Sequence, residues 1–132
     1  MGIWIQISSS GAPIYAQIVA QVESAVARSE LKPGDKIPPV RKLAEELVVN
    51  PNTVAKAYRQ MEQMGLVETR KGAGTFILDP KLRTVDTRDL TQLSDRIDTV
   101  IGRGMSLGMD EQELRELFEQ RLSTFTKKGG GA

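Results

Sequence analysis

Between Ile14 and Leu78 the apolar residues hold a helical spacing through three short segments, then give way to two compact β-rich runs. Few folds accommodate that order. Ile14, Ile18, Val22, Ala25 and Val26 recur at helical intervals behind Pro13, a residue suited to a first helical turn. This segment is expected to end near Ser29, ahead of the turn Lys32-Pro33-Gly34-Asp35. Pro38-Pro39 opens a shorter helix with Val40, Leu43, Ala44 and Leu47 on one face. Asn50-Pro51 places an N-cap residue before a proline at the first helical position. Val54, Tyr58, Met61 and Met64 make the third stripe, and Gly65 follows where a helix-ending glycine belongs.

Leu66–Arg70 and Thr75–Leu78 are the β-rich runs, and Lys71-Gly72-Ala73-Gly74 joins them as a hairpin turn. Helix, helix, turn, helix, hairpin is the order of a winged helix-turn-helix, assigned here to residues 1–79. Ile3–Ile7 reads as an edge strand or an arm, with Trp4 packing on the domain or on a second copy. Asp79-Pro80 marks the boundary of a helical dimerisation segment, 80–126. Thr87 is expected to cap a helix carrying Leu90, Leu93, Ile97, Val100 and Ile101, interrupted by Gly102, Gly104 and Gly108. Asp110 and Glu113 have the spacing of a reciprocal cap. They open a last helix with Leu114, Leu117, Phe118, Leu122 and Phe125. Two such helices in an antiparallel hairpin cannot cover both apolar faces, so a partner is expected. Leu90, Leu93, Ile97, Leu114, Leu117, Phe118 and Leu122 are assigned to a dimer core, and 127–132 to a flexible tail. The expected class is α+β, mainly α: a winged helix-turn-helix followed by a two-helix dimerisation hairpin.

The 132 residues contain neither cysteine nor histidine. Disulfides, thiolate zinc sites and thiol nucleophiles are thereby excluded, and the commonest general base and metal ligand is missing. No cofactor and no metal are expected. Asp86, Asp89, Asp95 and Asp98 read as solvated helix positions rather than a paired acid site, so an enzyme is not expected. No apolar run approaches the ~20 residues of a membrane span, and Met1-Gly2-Ile3-Trp4 does not open like a signal peptide. A cytoplasmic location without membrane contact is the corresponding expectation.

Net charge is only +1, so bulk charge says little about nucleic acid. Local charge says more. From Lys36 to Lys71 there are seven basic residues against four acids, an excess of three in the segment that carries the motif.

In a helix-turn-helix, the second helix lies in the major groove with its N-terminal residues at base edges. The candidates here are Asn50, Asn52, Thr53 and Lys56. Asparagine can pair bidentately with adenine, and lysine donates to guanine or phosphate. Arg59, one turn further on, reaches the backbone. The simpler readings are caps for Asn50 and Asn52, and a solvated face for Lys56 and Arg59. Arg41 is placed for a phosphate contact, or else for a pair with Glu45 at i+4. At the hairpin tip, Arg70, Lys71 and Gly72 offer two charges and a backbone that can approach DNA closely. Tyr58 falls on the apolar stripe and is assigned to the core.

With these motifs laid out, the chain resembles the GntR family of bacterial regulators from about Pro13 to Ile77. The resemblance rests on Pro13-Ile14-Tyr15-Ala16-Gln17-Ile18, on Leu31 to Pro38, on Arg41-Lys42-Leu43-Ala44 and on Asn50-Pro51-Asn52-Thr53-Val54. It closes with Met64-Gly65-Leu66-Val67 and Gly72-Ala73-Gly74-Thr75-Phe76. Pro39 stands where the family usually has serine, and Ala55 where it often has arginine, so one common DNA contact is absent. The Asn-Pro-Asn-Thr-Val start and the Ala57-Tyr58 pair are similar to the YtrA subfamily. So is the tail, which is too short for the large effector-binding domains of most members.

The resemblance implies a repressor, often of its own operon and of transporter genes, with DNA contacts at Arg41, Asn50, Asn52, Thr53, Lys71 and Gly72. The function expected is sequence-specific binding of double-stranded operator DNA by a homodimer, on an inverted repeat. Any small-molecule effector is unknown. The alternative is a winged helix serving as a protein-interaction module, without salt-dependent duplex binding.

Overall fold

The computed structural model describes residues 5–9, 11–82 and 85–130, the last four by backbone alone. The chain divides into two compact units, Met1–Arg83 and Thr84–Ala132.

The first unit is built from α1 (Ile14–Ala27), β1 (Lys36–Ile37), α2 (Val40–Leu47), α3 (Pro51–Gln63), β2 (Val67–Arg70) and β3 (Gly74–Ile77). Each helix buries the middle of the stripe its spacing marks, with Val19 and Ala57 added beside it and Ile14, Ala25, Val26, Val40, Leu47 and Met64 only half-buried at the margins. Ile18, Val19 and Val22 come from α1, Leu43 and Ala44 from α2, and Val54, Ala57, Tyr58 and Met61 from α3. Leu31, Ile37, Val67 and Ile77 close this core from the sheet side. Burying side chains of this size stabilises by about 1.5–3 kcal/mol each relative to exposure, which holds three short helices together.

The helix ends follow local chemistry. Pro13 and Pro39 precede the first residues of α1 and α2, where the missing N–H costs nothing. Asn50 caps α3, its side chain accepting the Asn52 N–H at 2.8 Å, and Pro51 is the first helical residue. After α1 and α3 the backbone turns left-handed at Ser29 and Gly65, with φ of 62° and 76°.

The hairpin is antiparallel, pairing Val67 with Ile77 and Arg70 with Gly74. The sheet has a third strand the sequence does not announce. β1 pairs with β3, in the order β1-β3-β2, with Lys36 opposite Phe76. Two residues are too few to show a period, and tertiary hydrogen bonds define this strand. Gly34 N–H donates to the Ile77 carbonyl, and Ile77 N–H to the Asp35 carbonyl, each at 2.8 Å.

Ile5 is buried, and Gln6–Ser8 runs along α1 as an arm rather than as a strand. Two glutamines of α1 hold it. The Gln21 carboxamide meets both the N–H and the carbonyl of Gln6, and Gln17 does the same for Ser8. Ile3 and Trp4, read as part of this arm, lie outside the described residues.

The second unit is α4 (Thr87–Ser106) and α5 (Glu111–Gly130). Asp86, not Thr87, is the cap of α4: its carboxylate accepts the Arg88 N–H at 2.9 Å, and its own N–H reaches Asp89 at 3.4 Å. The Arg88 backbone N–H, and then its guanidinium, hold the Asp86 carboxyl below its ordinary range. Gly102 and Gly104 do not interrupt α4, because a glycine weakens a helix without breaking its hydrogen bonds. The chain turns only at Gly108, where φ is 91°. Asp110 and Glu113 form their reciprocal cap at 2.8 and 3.0 Å. Helical backbone continues through 127–130, where composition reads as tail.

The two helices meet beside their connection and not along their length. Gly104 is buried there, and a Cβ on it would stand 2.5 Å from Leu114 Cδ2. Leu114 is thus half-buried inside the unit, unlike the other apolar residues assigned with it to an interface.

Candidate nucleic-acid interface

Helical geometry sorts the residues of α3. Val54, Ala57, Tyr58 and Met61 face the core, so Asn52, Lys56 and Arg59, spaced four and three residues apart, fall on the opposite face. All three are exposed, while Thr53 lies at the side of the helix, half-buried. Tyr58 fixes this orientation. Its hydroxyl donates to the Pro38 carbonyl, which ties α3 to the turn before α2. Burial, with a lesser push from the Glu46 carboxylate, raises its phenol above the ordinary range.

Asn50 holds the Asn52 N–H with its side-chain oxygen, so its carboxamide is already committed to capping. Lys56 is also engaged: its ammonium lies 4.1 Å from the centre of the Tyr15 ring on α1. Arg41 is exposed at the second position of α2. The ion pairs of the described residues do not include one with Glu45.

At the hairpin, Lys71, Gly72 and Ala73 are exposed, and Gly72 has φ of 79°. The turn closes through the Ala73 N–H on the Arg70 carbonyl. Arg70 is held against its own strand: its Nε donates to Glu68 at 2.9 Å, and its guanidinium lies 4.4 Å from the Phe76 ring centre. The sequence reading includes neither Tyr15 nor Phe76 in this surface. Both sit inside apolar runs, and nothing in spacing alone tells a core aromatic from one that supports a cation.

The structure thus gathers Asn52, Lys56 and Arg59 on one exposed face of α3, and Arg70, Lys71 and Gly72 at the hairpin tip. No cluster of three or more acid, histidine or cysteine side chains suited to a metal occurs among the described residues. None of their helices is long and apolar enough to cross a membrane.

A helix-turn-helix backed by an antiparallel hairpin defines a winged DNA-binding domain of the kind transcription regulators carry. The family model of bacterial regulatory proteins of the gntR family matches residues 14–77. The uncharacterised helix-turn-helix transcriptional regulator YhcF of Bacillus subtilis is 41% identical over 121 residues, spanning 91% of this chain and 95% of its own. The helix-turn-helix transcriptional repressor YtrA of the same organism is 35% identical over 120 residues, with 91% and 92% covered. The chain belongs to the gntR family of bacterial regulatory proteins.

Solved structures agree. The crystal structure of a transcriptional antiterminator from Listeria monocytogenes matches with a TM-score of 0.85 at 30% identity, covering 94% of this chain and 92% of that one. The DNA-binding domain of AraR, solved in complex with the operator ORX1, matches at TM-score 0.50 and 25% identity, over 58% of this chain and 98% of that one.

Proposed function

We propose that the protein is a homodimeric repressor of the YtrA type that binds an inverted-repeat operator through α3 and the wing. The exposed face of α3 carries this reading: Asn52 and Lys56 project from the first half of the helix, on the side turned from the core. In this reading Asn52 and Lys56 read base edges, Thr53 meets a phosphate or a thymine methyl, and Arg41 and Arg59 anchor the backbone. Arg70, Lys71 and Gly72 contact DNA from the wing, and Asn50 contributes as the cap that sets the helix start. YtrA is named a repressor, and AraR was solved on its operator. YhcF and YtrA share nearly their full length with this chain.

The second unit supplies the dimer. Leu90, Leu93, Ile97, Leu117, Phe118 and Leu122 are all exposed in one copy. An uncovered apolar surface on that scale marks an interaction site. With two-fold symmetry, half-site centres stand about 34 Å apart or at a multiple of that. The regulated genes in this reading are its own operon and transporter genes. Regulation proceeds without catalysis, in the cytoplasm.

Selection of bound duplexes from a random pool tests the reading. The expected result is enrichment of one inverted repeat, with the enriched binding lost on Asn52→Ala or Lys56→Ala. A pool that yields no enriched repeat, with no salt-sensitive binding, leaves the winged unit as a protein-binding module instead.

A further inference from the structure

The outer face of the wing adds a cation to those of its tip. The register pairs Lys36 with Phe76, Phe76 with Glu68, and Gly74 with Arg70. Side chains alternate across a strand, so Lys36, Phe76, Glu68 and Arg70 share one face. Ile37, Thr75, Ile77 and Val67 turn the other way and are buried. Lys36 is exposed and folds back along the sheet toward the tip. A Cβ on Gly74 would stand 2.5 Å from its Cε and 3.3 Å from its Nζ. The lysine stem therefore fills the space a side chain at position 74 would take. Its ammonium rests over the Arg70–Gly74 rung, the last before the turn at 71–73.

Three cations from two segments thus gather at the end of the wing: Lys36 of β1, and Arg70 and Lys71 of the hairpin. The nearby acids do not offset them all. Glu68 is paired with Arg70 at 2.9 Å, and the Asp35 carboxylate accepts the Lys32 N–H at 2.8 Å. Glycine at 74 lets the ammonium of β1 lie where the hairpin tip presents its own charge.

We propose that Lys36 is a phosphate contact of the wing, a residue of the DNA interface supplied by β1 and not by the hairpin. The proposal rests on the DNA-binding reading of this surface. An ammonium is a point charge that binds phosphate without reading a base, and phosphate contacts position a protein without carrying sequence information. Lys36 therefore sets affinity and salt dependence, while Asn52 sets sequence preference.

The test compares the wild-type chain with Lys36→Gln, Lys36→Arg and Asn52→Ala. Each is titrated onto a duplex selected from a random pool and onto a scrambled duplex of the same length, over about 50–200 mM KCl. For Lys36→Gln, the slope of log K against log salt is expected to shrink by about 0.9 per bound chain, weakening binding about eightfold near 0.1 M. The loss is the same on both duplexes, and Lys36→Arg restores it. Asn52→Ala weakens the selected duplex alone and leaves the slope as it was. A Lys36→Gln protein that keeps the wild-type slope and affinity overturns the assignment while leaving the DNA reading intact. A loss confined to the selected duplex also overturns it, because Lys36 then reads sequence. A wild-type chain without salt-dependent duplex binding overturns the DNA reading, and this proposal with it.

Discussion

Lys56 stands on the face of α3 turned away from the core, yet its ammonium rests against Tyr15 of α1. A cation over an aromatic ring at such a site contributes about 0.5–1 kcal/mol. The contact also narrows the conformations the lysine must give up on binding. A double-mutant cycle of Tyr15→Leu with Lys56→Met is expected to show a coupling of about 0.5–1 kcal/mol in denaturant melts. Additive single variants would remove the contact from the account of Lys56. Val48 is the opposite case, a residue in poor conformational accord with its site. It ends α2 with φ of 55° and is 89% exposed, so a β-branched side chain sits left-handed with no packing to offset the strain. Asparagine tolerates this region better. Val48→Asn is expected to raise stability by about 1 kcal/mol, read as a higher denaturant midpoint with an unchanged slope.

At the scale of elements, α3 depends on its two ends. Asn50→Ala is expected to cost about 1 kcal/mol of stability by leaving the Asn52 N–H unpaired, whereas Asn50→Ser retains the cap and the melting temperature. If operator affinity also survives in Asn50→Ser, capping is the whole of that residue's contribution. Tyr58 links α3 to the start of α2, and its raised phenol pKa has a signed consequence. The ordinary value is 10.0. Above it the unfolded chain loses this proton while the folded chain keeps it, so the unfolded state binds fewer protons. The stabilisation is complete below pH 10 and is lost as pH rises further, by up to about 1.4 kcal/mol per unit. Urea melts from pH 9 to 11 are expected to show this decline in the wild type and to lack that component in Tyr58→Phe.

For the whole molecule, the exposed apolar faces of α4 and α5 decide whether one copy suffices. Leu93→Glu or Phe118→Glu places a charge on that surface and is expected to shift sedimentation toward the monomer. The winged unit should keep its helical circular dichroism, since its core contains no residue of α4 or α5. The wild-type melting temperature is expected to rise with protein concentration, as mass action requires of a dimer. A species that is monomeric at all concentrations would remove the dimeric operator geometry.

The sequence alone determined the features that local physics controls. Periodicity marked α1, α2 and α3 and most of the residues they bury, Val19 and Ala57 excepted, because a stripe of apolar side chains leaves water only as a helix packed on one face. Asn50-Pro51 located the start of α3, because capping needs only residues adjacent in the chain. The same locality made the Asp110–Glu113 cap legible and gave the exposed positions Asn52, Lys56 and Arg59. The tertiary structure decided what depends on residues far apart. β1 exists because β3 supplies its hydrogen bonds, and no two-residue run can signal that. Tyr15 under Lys56 and the Lys36 stem over Gly74 join segments separated by tens of residues, and Phe76 under Arg70 joins neighbouring strands of the hairpin. Gly104 reads as a helix breaker until Leu114 is seen against it. Each of these is a contact across space, set by how the helices and strands pack.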